Sequence, residues 1–302
     1  MRKILHLLPG ILRSGYQNLK RNDPLILASS TAFFTTFSLS PILVILVNLL
    51  SITFDSDNIP QKLFGKIQAT FGKETTRQIQ KIVDNVSTYN DDPVFTIAGF
   101  IFLLFVATTL LMVVKQSIHN LWSIKRKQLN RFRYSFVERV TGIALLIVMA
   151  ILFLASLLLD ASVAFLRDQL HTLLPSVDVP LMRAINITFS ILIVTTWFTI
   201  LYKLLPDARV QWRVAFAGGL LTGILFNTGK WVLGKLLLFN NLASIFGTSA
   251  SFALILLFIF YSALILYFGA SFTFAYGDAV DAPILPGKNS ERFEVKSVTE
   301  GD

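Results

Sequence analysis

The chain has 302 residues, of which 54% are apolar, only 15% are charged and none is cysteine, and it carries a net charge of +9. A soluble globular domain holds about 25% charged residues, so with a mean hydropathy of +0.64 this chain lacks the charge to wet a soluble surface. The missing cysteines exclude disulfides, thiolate metal sites, iron–sulfur clusters and cysteine nucleophiles.

The first unit is residues 1–24. Leu5, Leu8 and Leu12 fall on one helical face and Arg2, Lys3 and Arg13 flank them. Pro9 and the lack of a small-residue cleavage site argue against a signal peptide. The segment is either an interfacial helix on the cytoplasmic membrane surface or a frayed terminus. Six continuous apolar stretches follow, at about Leu25–Ile52, Val94–Val114, Val140–Leu159, Ala184–Leu205, Val214–Leu238 and Ser251–Tyr276. Each reaches the roughly 20 residues needed to cross a bilayer as a helix. None holds an acidic residue, and none alternates as a membrane barrel strand would. The expected fold is all-α: a polytopic protein with a six-helix transmembrane domain over residues 25–276.

Between spans one and two, residues 53–93 balance acidic against basic residues and show two short helical repeats around Gly72, which predicts a small extracytoplasmic helical cap. Residues 277–302 are rich in proline and charge, which predicts a disordered cytoplasmic tail. Seventeen Lys and Arg fall on the side of the termini and seven on the other. The positive-inside rule therefore places both termini in the cytoplasm and the chain in a bacterial inner membrane.

Polar residues inside the spans define the candidate site. Span one carries Thr31, Thr35 and Ser38 on one face, with Pro41 beyond. A kinked, hydroxyl-lined helix can border a hydrated path, and ordinary interhelical bonding explains the same residues. In span four Thr199 and Tyr202 share a face with Thr195. In span five Gly219, Gly223, Asn227, Lys230 and Gly234 form one small, polar stripe. Lys230 is the one cation well inside a span, which makes it a site candidate by cost alone. It either faces an internal site or snorkels to the outer surface. The substrate-binding candidates are thus Lys230, Asn227, Gly223, Thr31, Thr35, Ser38, Thr199 and Tyr202. Arg209 and Arg213, beside Trp212, and the polybasic run Lys125, Arg126, Lys127, Arg131 and Arg133 suit anionic lipid headgroups.

Nucleic acid is not an expected partner, because Phe132 and Tyr134 do not make a stacking platform. His6, His119 and His171 stand apart and form no metal-ligand pattern. Acidic residues occur only at span ends and in loops. The chain is therefore expected to be no enzyme and to hold no metal or cofactor. A homo-oligomer is compatible with the sequence.

The run Leu201-Tyr202-Lys203-Leu204-Leu205-Pro206-Asp207-Ala208-Arg209-Val210-Gln211-Trp212-Arg213, followed by Ala217-Gly218-Gly219, resembles the signature of the YihY/BrkB family of bacterial inner-membrane proteins. Ala32-Phe33-Phe34, Phe37-Ser38-Leu39-Ser40-Pro41, Gly247-Thr248-Ser249-Ala250 and Leu266-Tyr267-Phe268-Gly269-Ala270 agree with it. The resemblance runs from about Tyr16 to Tyr276. It implies a six-helix membrane protein with both ends cytoplasmic, and suggests transport of lipids or other amphiphiles. It also implies that the family's former label, ribonuclease BN, is a misassignment. One departure stands out: where members commonly carry an acidic residue three positions before the lysine of span five, this chain has Asn227. Two functions remain expected: a transporter or lipid-handling protein with a polar site among spans one, four and five, or a non-transporting structural or adaptor protein of the envelope.

Overall fold

The computed structural model describes residues 2–53, 64–65, 68, 76–77, 80–81, 93–127, 139–148, 151–152, 178–238 and 250–293. Most of the expected cap, Arg131, Arg133 and the tail beyond residue 293 lie outside the described residues, as does the later half of span three.

Seven helices make up the described structure. They are α1 (Arg2–Arg21), α2 (Pro24–Thr53), α3 (Pro93–Leu121), α4 (Arg139–Val148), α5 (Asp178–Leu204), α6 (Trp212–Leu238) and α7 (Ala250–Ala279). Helices α2 to α7 fall on the six apolar stretches. Among the described residues three helical segments are long and apolar enough to cross a membrane: Leu104–Leu121, Ile187–Leu204 and Leu256–Ala279. Helix α2 continues through Pro41.

The joint between α1 and α2 shows how local sequence sets an element boundary. Asp23 takes a left-handed backbone, φ 47°, a conformation short polar residues tolerate better than most. Its carbonyl accepts from the amides of Ile26 and Leu27 at 3.0 and 3.2 Å. Pro24 then stands at the first helical position, where its missing N–H removes no bond. The segment expected to be interfacial or frayed is a 20-residue helix. Ile11, Gly15 and Leu19 are buried, and Gly15 brings its backbone against Ser271 and Phe272 of α7. The Asn18 amide donates to the Leu121 carbonyl at 2.9 Å. Leu7 and Leu8 are exposed, so the helix is pinned by its C-terminal half.

Helix α7 is the central post. It packs against α1, α2 and α6, and α5 packs along α6. The core is densest toward the end of the bundle that carries Leu121 and Ala279. There Trp122, Tyr202, Tyr267, Ile118, Leu121 and Ile124 are fully buried. The Trp122 indole N–H, which cannot be left unpaired in an apolar core, donates to the Ala270 carbonyl at 2.9 Å.

The tail departs from expectation, because residues 277–293 are ordered. Strand β1 (Ile124–Arg126) pairs antiparallel with β4 (Ser290–Arg292), and β2 (Ala208–Arg209) pairs with β3 (Leu285–Pro286). The Gly287 amide donates to the Asp207 carbonyl at 2.9 Å and the Phe293 amide to Ser123 at 3.0 Å. Ile284 is buried. The composition that suggested disorder is real, yet the segment needs no core of its own. It buries one isoleucine and pairs its backbone with two turns already held by the bundle. The fold is otherwise helical as expected, with these two small sheets as additions to it.

Candidate functional site

The predicted site residues separate into two groups on opposite faces of α7. On one face, the Thr31 hydroxyl of α2 meets the Tyr267 hydroxyl of α7 in a hydrogen bond. Ser38 of α2 donates to the Val106 carbonyl of α3 at 3.1 Å. Thr35 turns back to the Thr31 carbonyl of its own helix at 2.7 Å. These hydroxyls therefore tie α2 to α7 and α3.

On the other face, Gly218, Gly219 and Gly223 let α6 approach closely. A Cβ at Gly219 would meet the Thr195 carbonyl and the Thr199 amide at 2.8 Å, and one at Gly223 would meet the Thr195 hydroxyl at 2.6 Å. Thr199 donates to the Thr195 carbonyl at 2.7 Å. The buried Tyr202 hydroxyl pairs with Thr222 at 2.9 Å and with the Leu266 carbonyl at 2.8 Å. Gly269 of α7 makes room for that pair. Asn227 donates to the Gly223 carbonyl at 2.9 Å, and its side-chain oxygen accepts from Ser190 of α5 at 2.7 Å. Thr199, Tyr202, Gly223 and Asn227 thus come together as a packed α5–α6–α7 seam. Only Thr195 there keeps a buried hydroxyl without a partner.

Lys230 does not join them. The stripe is buried at Gly219 and Gly223 and half-buried at Asn227, but Lys230 is exposed, next to exposed Trp231 and Val232. Its side chain is not enclosed with Asn227 and the glycines. On an ideal helix Lys230 stands only about 20° around from Gly219, eleven residues earlier, so its exposure is not a matter of the stripe turning away.

A second polar cluster was not anticipated. Lys115 of α3, 8% exposed, forms an ion pair with Asp207 of the α5–α6 turn at 2.9 Å. The Asp207 amide donates to His119 Nε2, also at 2.9 Å. A Lys115/His119 pair, four residues apart on one helical face, was the visible signal. Lys115 is one of the seventeen cations on the side of the termini, and Arg139 is another. It begins the described part of α4, donates to the Thr108 hydroxyl at 3.0 Å and lies 3.9 Å over the Phe105 ring. Removing both from the positive-inside count leaves the asymmetry intact.

The headgroup candidates that are described sit at the rim. Arg209 and Arg213 are exposed at the α5–α6 turn, and Lys125 and Lys127 are exposed beside β4. Arg126 is placed by its backbone in β1. Among the described residues, no three His, Asp or Glu form a group able to hold a metal.

The family model described as virulence factor BrkB matches residues 16–294, which takes in the α5–α6 turn and the Gly218-Gly219 seam. The chain belongs to the BrkB family. Its relatives include proteins named UPF0761 membrane protein. One from Pseudomonas paraeruginosa is 26% identical over 253 residues, covering 80% of this chain and 57% of the relative. One from Nitrosospira multiformis is 27% identical, covering 81% and 55%. One from Azotobacter vinelandii is 28% identical, covering 80% and 57%. This BrkB-family chain therefore spans little more than half the length of the relatives it matches. No solved structure matches it. Family membership and the apolar helices together make it a membrane protein of bacterial type.

Proposed function

We propose that this BrkB-family chain is a six-span bacterial inner-membrane protein, both termini cytoplasmic, that handles lipids or other amphiphiles along its outer surface. It neither conducts a solute through its centre nor catalyses a reaction. The carrying observation is the inversion of the predicted site. Of the hydroxyls expected to line a hydrated path, Thr31 and Ser38 bond to neighbouring helices and Thr35 to its own, whereas Lys230 lies on the exposed face of α6 among apolar side chains. A cation at that depth is expensive unless water, a headgroup or a ligand meets it. An amphiphile can present its charge there while its tails remain in lipid. The exposed cations at the rim offer a second place for anionic headgroups.

The test is transbilayer exchange of a fluorescent phosphatidylglycerol analogue in vesicles reconstituted with the full chain. Accelerated exchange over empty vesicles supports the reading, and an unchanged rate removes it. The packed α5–α6–α7 seam also favours a second reading, a non-transporting adaptor. In that case exchange stays at background while the protein is recovered with an envelope partner.

A further inference from the structure

Resting on the lipid-handling reading, we propose that Arg139 binds the anionic phosphate or carboxylate group of a membrane amphiphile against α3. Its contacts place it below the rim. Thr108 lies seven residues, about 10 Å of helix rise, from Lys115, which pairs with Asp207 of the α5–α6 turn.

It is also held in one orientation. Nη1 donates to the Thr108 hydroxyl at 3.0 Å and to the Phe105 carbonyl at 3.5 Å. Thr108 is fixed in turn by donating to the Leu104 carbonyl at 2.8 Å. The guanidinium lies over the Phe105 ring, 3.9 Å from its centroid. One turn along α4, Gly142 brings the two backbones close, since a Cβ there would meet the Thr108 methyl at 3.2 Å.

These bonds occupy a single nitrogen. Among the described residues Nη2 and Nε have no hydrogen bond and no carboxylate pairs with the group. A guanidinium with one edge anchored presents its other N–H groups in the planar fork that matches a phosphate or carboxylate. The side chain is half-buried, and around it Phe102, Phe105, Val140 and Ile147 are exposed and apolar. The open edge therefore adjoins lipid, and the ligand fitting both parts is an anionic headgroup carrying acyl chains. Lys230 reaches lipid on a different helix, so the two cations are separable by mutation.

The experiment is native mass spectrometry of the full chain in micelles of phosphatidylcholine with phosphatidylglycerol. It compares wild type with Arg139→Gln, Arg139→Lys and Thr108→Val, each with and without inorganic phosphate. The expected result is roughly ten-fold lower phosphatidylglycerol occupancy in Arg139→Gln, from loss of charge-assisted hydrogen bonds. Arg139→Lys should keep part of the binding, and Thr108→Val should weaken it by releasing the anchored edge. Thr108→Val also serves if Arg139→Gln fails to fold. Displacement of the lipid by inorganic phosphate assigns the same site to a free anion, and resistance to it assigns a lipid headgroup. Equal occupancy in wild type, Arg139→Gln and Thr108→Val overturns the proposal. Loss of binding at Arg139 without lipid exchange by the wild type leaves the site standing and removes the lipid-handling reading. Exchange that survives Arg139→Gln with unchanged occupancy does the reverse.

Discussion

Adding one methyl group to Gly219 tests how tightly the α5–α6 seam is closed. The new Cβ would stand 2.8 Å from both the Thr195 carbonyl and the Thr199 amide. These are backbone atoms of a helix, so no side chain can swing aside and the helices themselves must separate. Overpacking of this kind costs about 1–3 kcal/mol. Separation would also stretch the Tyr202–Thr222 bond of 2.9 Å and the Ser190–Asn227 bond of 2.7 Å, each worth about 0.6–2 kcal/mol between membrane helices. Gly219→Ala should therefore destabilise by about 2–4 kcal/mol. Gly10 provides the internal control, because a Cβ there meets nothing within 4 Å. Gly10→Ala should be neutral or stabilise α1 by up to about 1 kcal/mol through helix propensity. Thermal unfolding of the purified chain in detergent should give a Tm several degrees lower for Gly219→Ala and no lower for Gly10→Ala. Equal Tm values for the two would refute the close-packed seam and reopen a path along it.

Asp207→Asn leaves the largely buried Lys115 ammonium without its carboxylate and should cost about 3 kcal/mol. Lys115→Met should cost less, because Asp207 is more exposed and can take up water; denaturant unfolding of both variants and of the double mutant measures the coupling. For orientation, Lys81→Cys and Asn289→Cys are suitable single labels, since both positions are exposed and no native cysteine competes. An impermeant thiol reagent on intact cells should label position 81 and spare 289, and the opposite pattern would invert the topology. Cutting the chain before Pro283 should lower Tm, because it uncovers Ile124 and removes the strands that cover the α5–α6 turn; an unchanged Tm would show that the tail contributes nothing. Purified chain should leave RNA intact in the presence of divalent metal. Cleavage that is abolished by a point substitution in the chain would contradict this.

The helices were legible because their signal is long-range and redundant. Twenty-odd apolar residues without an acidic one leave the backbone few ways to satisfy itself in lipid, and Asn22-Asp23-Pro24 announces a helix start by its own stereochemistry. The close approach at Gly219 and Gly223 fits their spacing, since small residues four apart permit it. What failed were inferences about facing and reach. The stripe pattern groups Lys230 with the glycines, about 20° from Gly219 on an ideal helix, yet the structure leaves its side chain exposed. Lys115 and Arg139 enter the sequence only as two of the seventeen cations on the side of the termini, because the hydroxyl or carboxylate each one reaches lies on another element. The tail was misread because strands of two or three residues have no periodicity, and their partners, Ile124–Arg126 and Ala208–Arg209, lie far away in sequence.

The central claim is that this BrkB-family chain works on lipid at its surface while its interior stays closed to solute. Parallel flux measurements in one vesicle preparation address it directly, with a labelled phosphatidylglycerol reporting lipid exchange and a small entrapped anionic dye reporting solute passage. The account predicts that wild-type protein accelerates lipid exchange and leaves the dye trapped. Dye release with no acceleration of lipid exchange would contradict it.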